Sequence, residues 1–186
     1  MRIAAVDIET TDLAAIMGTT LCGSFQPIIP SEYGTIEPYT EHMVYTKKNL
    51  KNPNPDRELV VNIRDEIESY DCIVTWNGKM FDIPFLNARL LYHGERHVRP
   101  KFHMDLMYYA GFSSNRIGSK KLVNVQKFLQ LTESKTDINW DVWKLAQRGD
   151  DVALAEVIGH CEADVRVLAE VYWRLLPYVK NLHSAG

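Results

Sequence analysis

The stretch RIAAVDIETT, residues 2–11, decides the fold class of this chain. Arg2 to Ile8 is a short apolar run that ends in acidic residues, a pattern typical of a central strand. In a strand, residues i and i+2 point to the same face, so Asp7 and Glu9 project together. Two adjacent carboxylates repel each other unless a cation lies between them. A solvated strand end fits this pattern, but so does the site that an open α/β sheet places at the end of a buried strand.

Four more strands are predicted from apolar runs between turn signals, at Thr20 to Phe25, His42 to Thr46, Cys72 to Trp76 and Phe102 to Asp105. The first two are separated by a loop that holds Pro27, Pro30, Gly34 and Pro38. Helical spacing predicts helices from the N-cap Asp56 to Ser69, from Asp82 to about Gly94, from Leu106, over Leu122 to Leu129, and over Val152 to Val171 before Pro177. These elements predict an α/β domain with a mixed sheet of five strands.

Composition and charge exclude some classes of protein. The 186 residues fit one compact domain without a linker to a second. A net charge of −3 argues against a protein that coats nucleic acid through bulk positive charge, but not against an enzyme that handles a few nucleotides. No apolar run reaches the roughly eighteen residues of a transmembrane helix, and the N-terminus lacks a signal peptide's apolar region. Cys22, Cys72 and Cys161 are predicted to be buried free thiols, which favours a cytoplasmic protein.

The second acidic motif is NGKMFD, residues 77–82, which follows a predicted strand. Asp82 opens a helix that has Pro84 in its first turn, where proline is tolerated. Asp82 acting only as a helix cap, with Phe81 as a core residue, is the alternative interpretation. The motif is therefore informative only together with the others.

The third motif is HCEAD, residues 160–164, on the last predicted helix. His160 and Asp164 are four residues apart and share one helix face, whereas Glu162 lies on another face and is expected to be solvated. A surface hydrogen bond would explain this pair if it stood alone. Three acidic signals in this order, two at strand ends and one on a C-terminal helix, favour a common site instead.

The three motifs together resemble those of the DEDD (DnaQ-like) superfamily of 3′→5′ exonucleases, which includes proofreading domains of DNA polymerases and several exoribonucleases. The segment from Asp7 to Thr11 resembles the first motif, Asn77 through Asp82 the second, and His160 with Asp164 the third. Leu122 to Leu131, followed by Lys135, is similar to the helix and loop that often precede the third motif. The resemblance covers essentially the whole chain. It implies an RNase H-like α/β fold, with a five-stranded mixed sheet flanked by helices, over residues 1–180, and a short tail over residues 181–186.

This resemblance implies a cofactor and a set of substrate contacts. Two divalent ions, Mg²⁺ or Mn²⁺, are expected to bind to the hard oxygen ligands Asp7, Glu9, Asp82 and Asp164. Two-metal hydrolysis of the terminal phosphodiester bond would then release nucleoside 5′-monophosphates. The last base and sugar are expected to contact Thr10, Thr11 and Leu13, and the preceding nucleotides to contact Asn77 and Phe81. The positively charged side chains expected to contact the phosphates are those of Lys79, Arg116, Lys120 and Lys121. Asp105 is interpreted as a helix cap.

The sequence departs from the family pattern at the group that handles the attacking water. One branch of the family has tyrosine four residues before the last aspartate, and the other has histidine five residues before it. Here His160 is four residues before Asp164 and Gly159 is five before it. By position, His160 takes the place of the tyrosine. Its imidazole would accept a proton from the water, orient the water, or be a spectator.

The predicted substrate is nucleic acid with a free 3′ end, with single-stranded DNA favoured over RNA, in DNA repair or replication. A replication or repair protein acting in trans is a candidate partner, and no membrane is expected. Three alternatives stay open from the sequence: a catalytically inactive nucleic-acid-binding or partner-docking module on the same fold, an exoribonuclease, and an endonuclease.

Overall fold

Six strands form one mixed sheet in the computed structural model, which describes residues 1–29, 39–42, 51–52, 54–111, 117–132, 138–179 and 184–185. The strands are β1 (Ile3–Thr10), β2 (Thr20–Ile28), β3 (Tyr39–His42), β4 (Cys72–Thr75), β5 (Lys101–Asp105) and β6 (Ser184–Ala185). Their order across the sheet is β3-β2-β1-β4-β5-β6. β2 is antiparallel to β1 and β3, β4 is parallel to β1 and β5, and β6 is antiparallel to β5. The strand with the first acidic motif therefore lies in the interior of the sheet.

In the described part of the chain, six α-helices flank the sheet: α1 (Arg57–Ser69), α2 (Asp82–Tyr92), α3 (Leu106–Ala110), α4 (Leu122–Leu129), α5 (Trp140–Gln147) and α6 (Asp151–Leu175). Val6 and Ile8 of β1 contribute to the core that contains α1 and α2. Ala5 contributes to the core formed with α3, α4 and the second half of α6. Because side chains alternate along a strand, Asp7 and Glu9 lie on the same face as Ala5, towards α6.

The predicted mixed sheet of five strands is confirmed, with β6 as a sixth, two-residue strand at one edge, and β2 is longer than expected. Its last residues include Pro27, which the sequence analysis placed in a loop. Among the described residues, β3 pairs with β2 only as far as Phe25, so β2 has one open side at Pro27. Proline is tolerated on such an edge because it lacks the N–H that an interior ladder requires.

The third strand begins earlier than predicted, at Tyr39, and shares only His42 with the predicted span. The rest of that span, residues 43–46, lies outside the described residues, as do Pro30, Gly34 and Pro38. β6, within the segment expected to be a tail, adds two residues to the edge of the sheet beside β5. A segment of two residues is too short to show the apolar pattern by which a strand is predicted from sequence.

The predicted helices are all present, but α5 was not predicted. The sequence analysis assigned no helix between Leu129 and Val152, where the structure has a helix of eight residues. The side chain of Asn139 caps it by accepting a hydrogen bond from the backbone N–H of Asp141 at 3.1 Å. Ala146 is buried, and Trp143 packs against the core beside α6. A capping asparagine ahead of apolar residues at helical spacing was the available signal.

Asp56 occupies the predicted N-cap position of α1, but its side chain does not cap that helix. The carboxylate is fully buried and accepts hydrogen bonds from the guanidinium of Arg89 at 2.6 and 2.9 Å. It also accepts a bond from the backbone N–H of Thr20, and it lies 2.9 Å from the His93 ring nitrogen Nε2. Burial alone would raise the pKa of Asp56, but these hydrogen bonds outweigh burial and lower it. The ion pair of Asp56 with Arg89 therefore connects α2 with the start of β2 and the start of α1.

Replacing Arg89 with methionine should lower the free energy of unfolding by about 3–5 kcal/mol, because the Asp56 carboxylate would stay buried without its ionic partner. Urea unfolding followed by circular dichroism measures this loss. The control is Arg57→Met, which removes an exposed ion pair with Glu95 and should cost no more than about 1 kcal/mol. Equal, small losses in both variants would contradict the structural role of the buried pair.

Candidate active site

The end of β1 carries the first two acidic side chains to the edge of the sheet. Asp7 and Glu9 are both partly buried and face α6. The pairing with β2 shifts register between Glu9 and Thr10, so the regular ladder ends directly after the second carboxylate. The chain then leaves the sheet, which opens the carboxyl end of β1 to solvent.

Helix α6 brings the third motif against these carboxylates. Ligand atoms of Glu9, His160 and Asp164 lie within 4.8 Å of one another, and so do those of Asp7, Glu9 and Cys161. The ring nitrogen Nε2 of His160 is 3.7 Å from the carboxylate of Glu9. The structure thus brings together three of the four predicted metal ligands with the predicted histidine. Spacing in the sequence placed His160 and Asp164 on one face, and the fold turns that face towards β1.

Asp82 belongs to neither of these groups, yet its carboxylate lies at the same strand. Oδ1 of Asp82 accepts a hydrogen bond from the backbone N–H of Ile8 at 3.2 Å, between the two carboxylates of β1. The simple helix-cap interpretation is wrong, because Phe81 is the N-cap of α2 and Asp82 is its first residue. Burial raises the pKa of Asp82 to about 7, and the charge of Asp105 adds to the effect.

The Asp82→Asn variant should be more stable than the unmodified chain at pH 8 in EDTA. The folded pKa of about 7 lies above the ordinary value of 3.8, so folding favours the protonated form, and the metal-free chain loses stability as pH rises between these values. Asparagine mimics the neutral form. The melting temperature should therefore rise by about 2–4 °C for each kcal/mol of relieved desolvation at pH 8.

This advantage should shrink when the same thermal scans are repeated at pH 5, where Asp82 takes up a proton. Asp141→Asn, on the exposed face of α5, serves as the matched control and should shift the melting temperature equally at both pH values. A constant difference for Asp82→Asn across this range would mean that the carboxyl group titrates normally.

A tight turn after β4 positions the second motif. Asn77 has a positive φ of 66°, which asparagine tolerates better than most residues. A Cβ on Gly78 would lie within 2.4–2.7 Å of side-chain atoms of Thr75, so only glycine fits there. The carboxylate of Asp105 accepts hydrogen bonds from the N–H groups of Asn77 at 2.9 Å and Lys79 at 3.1 Å. These bonds hold the turn from which α2 and Asp82 begin.

The prediction that Asp105 caps a helix is confirmed by its bond with the N–H of Met107 at the start of α3. The sequence did not show that the same carboxylate also holds the turn at residues 77–79. Such a role depends on the parallel pairing of β4 with β5, which aligns Thr75 with Asp105.

Cys161 is a member of the cluster that sequence analysis missed. It was interpreted only as a buried free thiol, which the structure confirms for all three cysteines. Its thiol lies 3.5 Å from both the carbonyl oxygen and the carboxylate of Asp7. Burial, a hydrogen bond with Cys22 and the nearby carboxylates raise its pKa, so it stays a neutral donor. Its place next to His160 in the sequence was the only available signal.

The ring of His160 is fixed from the other side by α5. The Trp143 ring meets it edge-on, with 6.1 Å between the ring centroids. His160 is buried, and its ring contacts both the Glu9 carboxylate and this indole. Glu162, expected to be solvated, instead accepts a hydrogen bond from Thr40 of β3 at 2.9 Å and is partly buried.

A cleft of about 1160 Å³ adjoins the carboxylates. Its lining includes Asp7 and Asp164 together with Asn77 and the two lysines Lys120 and Lys121. The indole N–H of Trp76 donates to the carbonyl of Lys120 at 2.9 Å, which ties the lysine segment to the end of β4. The cleft therefore combines negative charge at the site with positive charge along its wall.

The remaining predicted substrate residues differ in their environments. The hydroxyl groups of Thr10 and Thr11 form hydrogen bonds within the segment that follows β1. Leu13 is 83% exposed. The Phe81 ring packs beside Phe85 and against the core, with 5.6 Å between the centroids. The Lys79 ammonium lies 6.0 Å from the centre of the Tyr108 ring. Arg116 and Lys135 lie outside the described residues.

Within the part of the chain that the structure describes, none of the helices has the length and apolar character needed to span a lipid bilayer.

Comparison with solved structures finds a similar fold in a polymerase. The family B DNA polymerase from the hyperthermophilic archaeon Pyrobaculum calidifontis matches 95% of this chain with a TM-score of 0.71 and 17% sequence identity. The chain spans 25% of that polymerase chain. A DNA polymerase of Methanocaldococcus jannaschii is 38% identical over 56 residues, which are 27% of this chain and 3% of that protein.

The family assignment rests on a longer match. Residues 4–176 match the family model of the RNase H superfamily, a span that begins in β1 and ends after α6. It includes all three acidic motifs and confirms the RNase H-like fold that the resemblance implied. The chain belongs to the RNase H superfamily.

Proposed function

We propose that this protein is a metal-dependent 3′→5′ exonuclease, a phosphodiester hydrolase that removes nucleoside 5′-monophosphates from nucleic acid, with single-stranded DNA as the favoured substrate. The observation that carries the proposal is the convergence of Glu9, His160 and Asp164 within 4.8 Å, with Asp7 in the adjoining group. Like charges at this spacing cost free energy in the absence of a cation. The proposal takes residues 1–180 as the catalytic domain.

The donor set fits two divalent ions, Mg²⁺ or Mn²⁺. Carboxylate oxygens dominate it, and hard cations prefer oxygen. Asp7, Glu9, Asp164 and Asp82 would hold the ions, and the Asp82 carboxylate also accepts a hydrogen bond from the backbone of β1. Bound there, the ions would supply water activation and stabilisation of the charge that develops on the phosphoryl group and leaving oxygen.

His160 is proposed to accept the proton of the attacking water. Its ring nitrogen faces Glu9, and Trp143 restricts rotation of the ring. A fixed base beside the reacting atoms is more effective than a mobile one, because the entropy of orienting it is lost on folding and not during the reaction. The thiol of Cys161 holds Asp7 from the same helix turn and contributes positioning rather than proton transfer.

The cleft supports a substrate with a negatively charged backbone. Lys120 and Lys121 line it on the same surface as Asp7 and Asp164, so phosphates near the lysines would bring a strand end to the carboxylates. Asn77 and the partly exposed Trp76 offer a hydrogen-bonding group and a stacking surface for bases without demanding one sequence. This environment suits a nuclease that is indifferent to sequence.

Asp7→Asn and Asp164→Asn should each lower turnover by at least about 10³-fold, the scale seen when one member of a catalytic unit is removed. Release of mononucleotides from a 3′-labelled single strand with Mg²⁺ or Mn²⁺ measures the effect. Glu156→Gln, an exposed carboxylate change on α6, is the control and should retain full activity. Retained turnover in either aspartate variant would exclude this cluster as the reaction centre.

His160→Gln should slow hydrolysis by about 10²- to 10⁴-fold, the usual contribution of a general base. Activity measured from pH 6 to 9 should lose its acidic limb in this variant, while metal-induced thermal stabilisation should persist. Trp143→Phe keeps an aromatic neighbour and should remain close to the unmodified rate. An unchanged rate in His160→Gln would make the histidine a spectator.

The direction and substrate are tested by digesting single-stranded DNA, duplex DNA and RNA side by side. A 3′→5′ exonuclease releases a 3′ label first and leaves a chain with a blocked 3′ end intact. Cleavage of blocked chains would identify an endonuclease, and faster digestion of RNA an exoribonuclease. Binding of the strands without cleavage would favour a catalytically inactive module.

A further inference from the structure

A second cavity, of about 570 Å³, adjoins the catalytic cleft, and Met80 and Tyr108 line both. Its other lining residues come from the turn after β4, from α2, from β4 and β5, and from the segment 97–100 between α2 and β5. None of the four carboxylates of the proposed reaction centre is among the described residues that line it. Sites for small ligands have volumes of roughly 300–1,000 Å³. This second cavity is therefore large enough for a small molecule and separate from the reaction centre.

The interior of the second cavity is largely apolar and uncharged. Ile73 and Val98 are buried and line it, and so does the buried side chain of His103. Nε2 of His103 lies 2.7 Å from the hydroxyl oxygen of Thr75, which fixes the ring. Burial lowers the pKa of His103 to about 4, and the charge of Lys79 adds to this effect, so the imidazole is neutral at pH 7. A ligand would therefore pack against an uncharged inner surface.

Positive side chains line the second cavity, although the net charge of the chain is −3. They are those of Lys79, Arg99 and Lys101. No aspartate or glutamate occurs among the described residues that line the cavity. Opposite charges attract more strongly in a partly buried cavity than in bulk water, because the effective dielectric constant is lower there. The lining therefore favours an anionic ligand.

Lys79 is the cation best placed to bind such a ligand. Its ammonium lies 6.0 Å from the centre of the half-exposed Tyr108 ring. Arg99 is more exposed and forms an ion pair with Glu68 at 3.2 Å. The ammonium of Lys101 donates to backbone carbonyls at the end of α1. An ammonium group beside an aromatic ring suits a ligand that combines a phosphate with a planar base, since the ring offers a stacking surface for any base.

Hydrogen bonds hold the segment between α2 and β5 in place. The backbone N–H of Val98 donates to Oδ1 of Asn87 on α2 at 2.9 Å. The backbone N–H of Arg99 donates to the carboxylate of Glu68 on α1 at 3.0 Å. This wall of the second cavity is therefore preformed, which lowers the entropy that ligand binding costs.

We propose that the second cavity binds a nucleoside 5′-monophosphate, with its phosphate at Lys79 and its base against Tyr108 and the apolar inner surface. The ligand is the product of the proposed reaction, so the choice of ligand rests on the proposed function, whereas the cavity and its charge do not. Because Met80 and Tyr108 line both cavities, a mononucleotide released at the carboxylates lies next to this site.

Isothermal titration calorimetry of the full chain in EDTA tests this proposal without turnover, because the metal ions that would hold a nucleotide at the carboxylates are removed. Deoxyadenosine 5′-monophosphate should bind with a Kd below about 1 mM. Deoxyadenosine and inorganic phosphate should each bind at least about tenfold more weakly, since each lacks one of the two recognised groups. Weaker binding of the mononucleotide, or equal binding of either fragment, would overturn the proposal.

Lys79→Gln should weaken binding of deoxyadenosine 5′-monophosphate by at least about tenfold, because a charge-assisted hydrogen bond to the phosphate is lost. His97→Glu adds a negative charge at an exposed lining residue and should also weaken it. Lys144→Gln, at an exposed lysine of α5, is the matched control and should leave the Kd unchanged. Lys120→Gln/Lys121→Gln alters only the catalytic cleft and should leave the Kd within about twofold. Full affinity in the first two variants, or a tenfold loss in the double variant, would contradict this site.

Photolabelling locates the nucleotide directly. When 8-azidoadenosine 5′-monophosphate is irradiated with the chain in EDTA, mass spectrometry should find the label on peptides that contain residues 83–101, and excess deoxyadenosine 5′-monophosphate should suppress it. Label confined to peptides that contain residues 117–122 would refute the site, even if the unmodified protein digests single strands. Label at residues 83–101 in a chain that releases no mononucleotides would keep the site and refute the proposed function instead.

Discussion

The packing of α6 across the end of β1 is the contact on which the candidate site depends. It places Asp164 and His160 against Glu9, and it presses the thiol of Cys161 onto Asp7. Carboxylates at such distances repel one another, and partial burial strengthens the repulsion because little water screens it. The apolar residues on the same helix hold this arrangement by packing into the two cores on either side of the acidic patch.

The other face of the sheet completes the arrangement through backbone hydrogen bonds. Asp82 reaches the backbone of β1 from the first turn of α2, and Asp105 fixes the turn from which that helix starts. Both carboxylates are buried, and both have raised pKa values, chiefly because burial disfavours their charge. The domain thus carries an electrostatic cost at this edge, and the hydrophobic cores must offset it. Perturbed pKa values of this kind cluster at functional sites.

The ion pair of Asp56 with Arg89 links the core of the domain to the segment that follows β1. The guanidinium binds the carboxylate that joins the start of α1 to β2, and it also holds the carbonyl of Ala15. The same buried charge therefore supports the hydrophobic core and the exposed turn that follows the first acidic motif. A change at this pair would therefore affect both the free energy of unfolding and the hydrogen bond that holds the backbone of Ala15.

The sequence by itself determined the alternation of strands and helices, the sheet of five strands and the acidic motifs, because period-two and helical spacing are local properties of the chain. It also placed His160 and Asp164 on one helix face, and it located the cap at Asp105. Tertiary structure alone decided that this face meets Glu9 and that Cys161 joins the cluster. It also decided that the Asp56 carboxylate forms an ion pair with Arg89 instead of capping α1, and that the two-residue strand β6 pairs with β5. These outcomes depend on contacts between residues far apart in the chain, which no local pattern of side chains encodes.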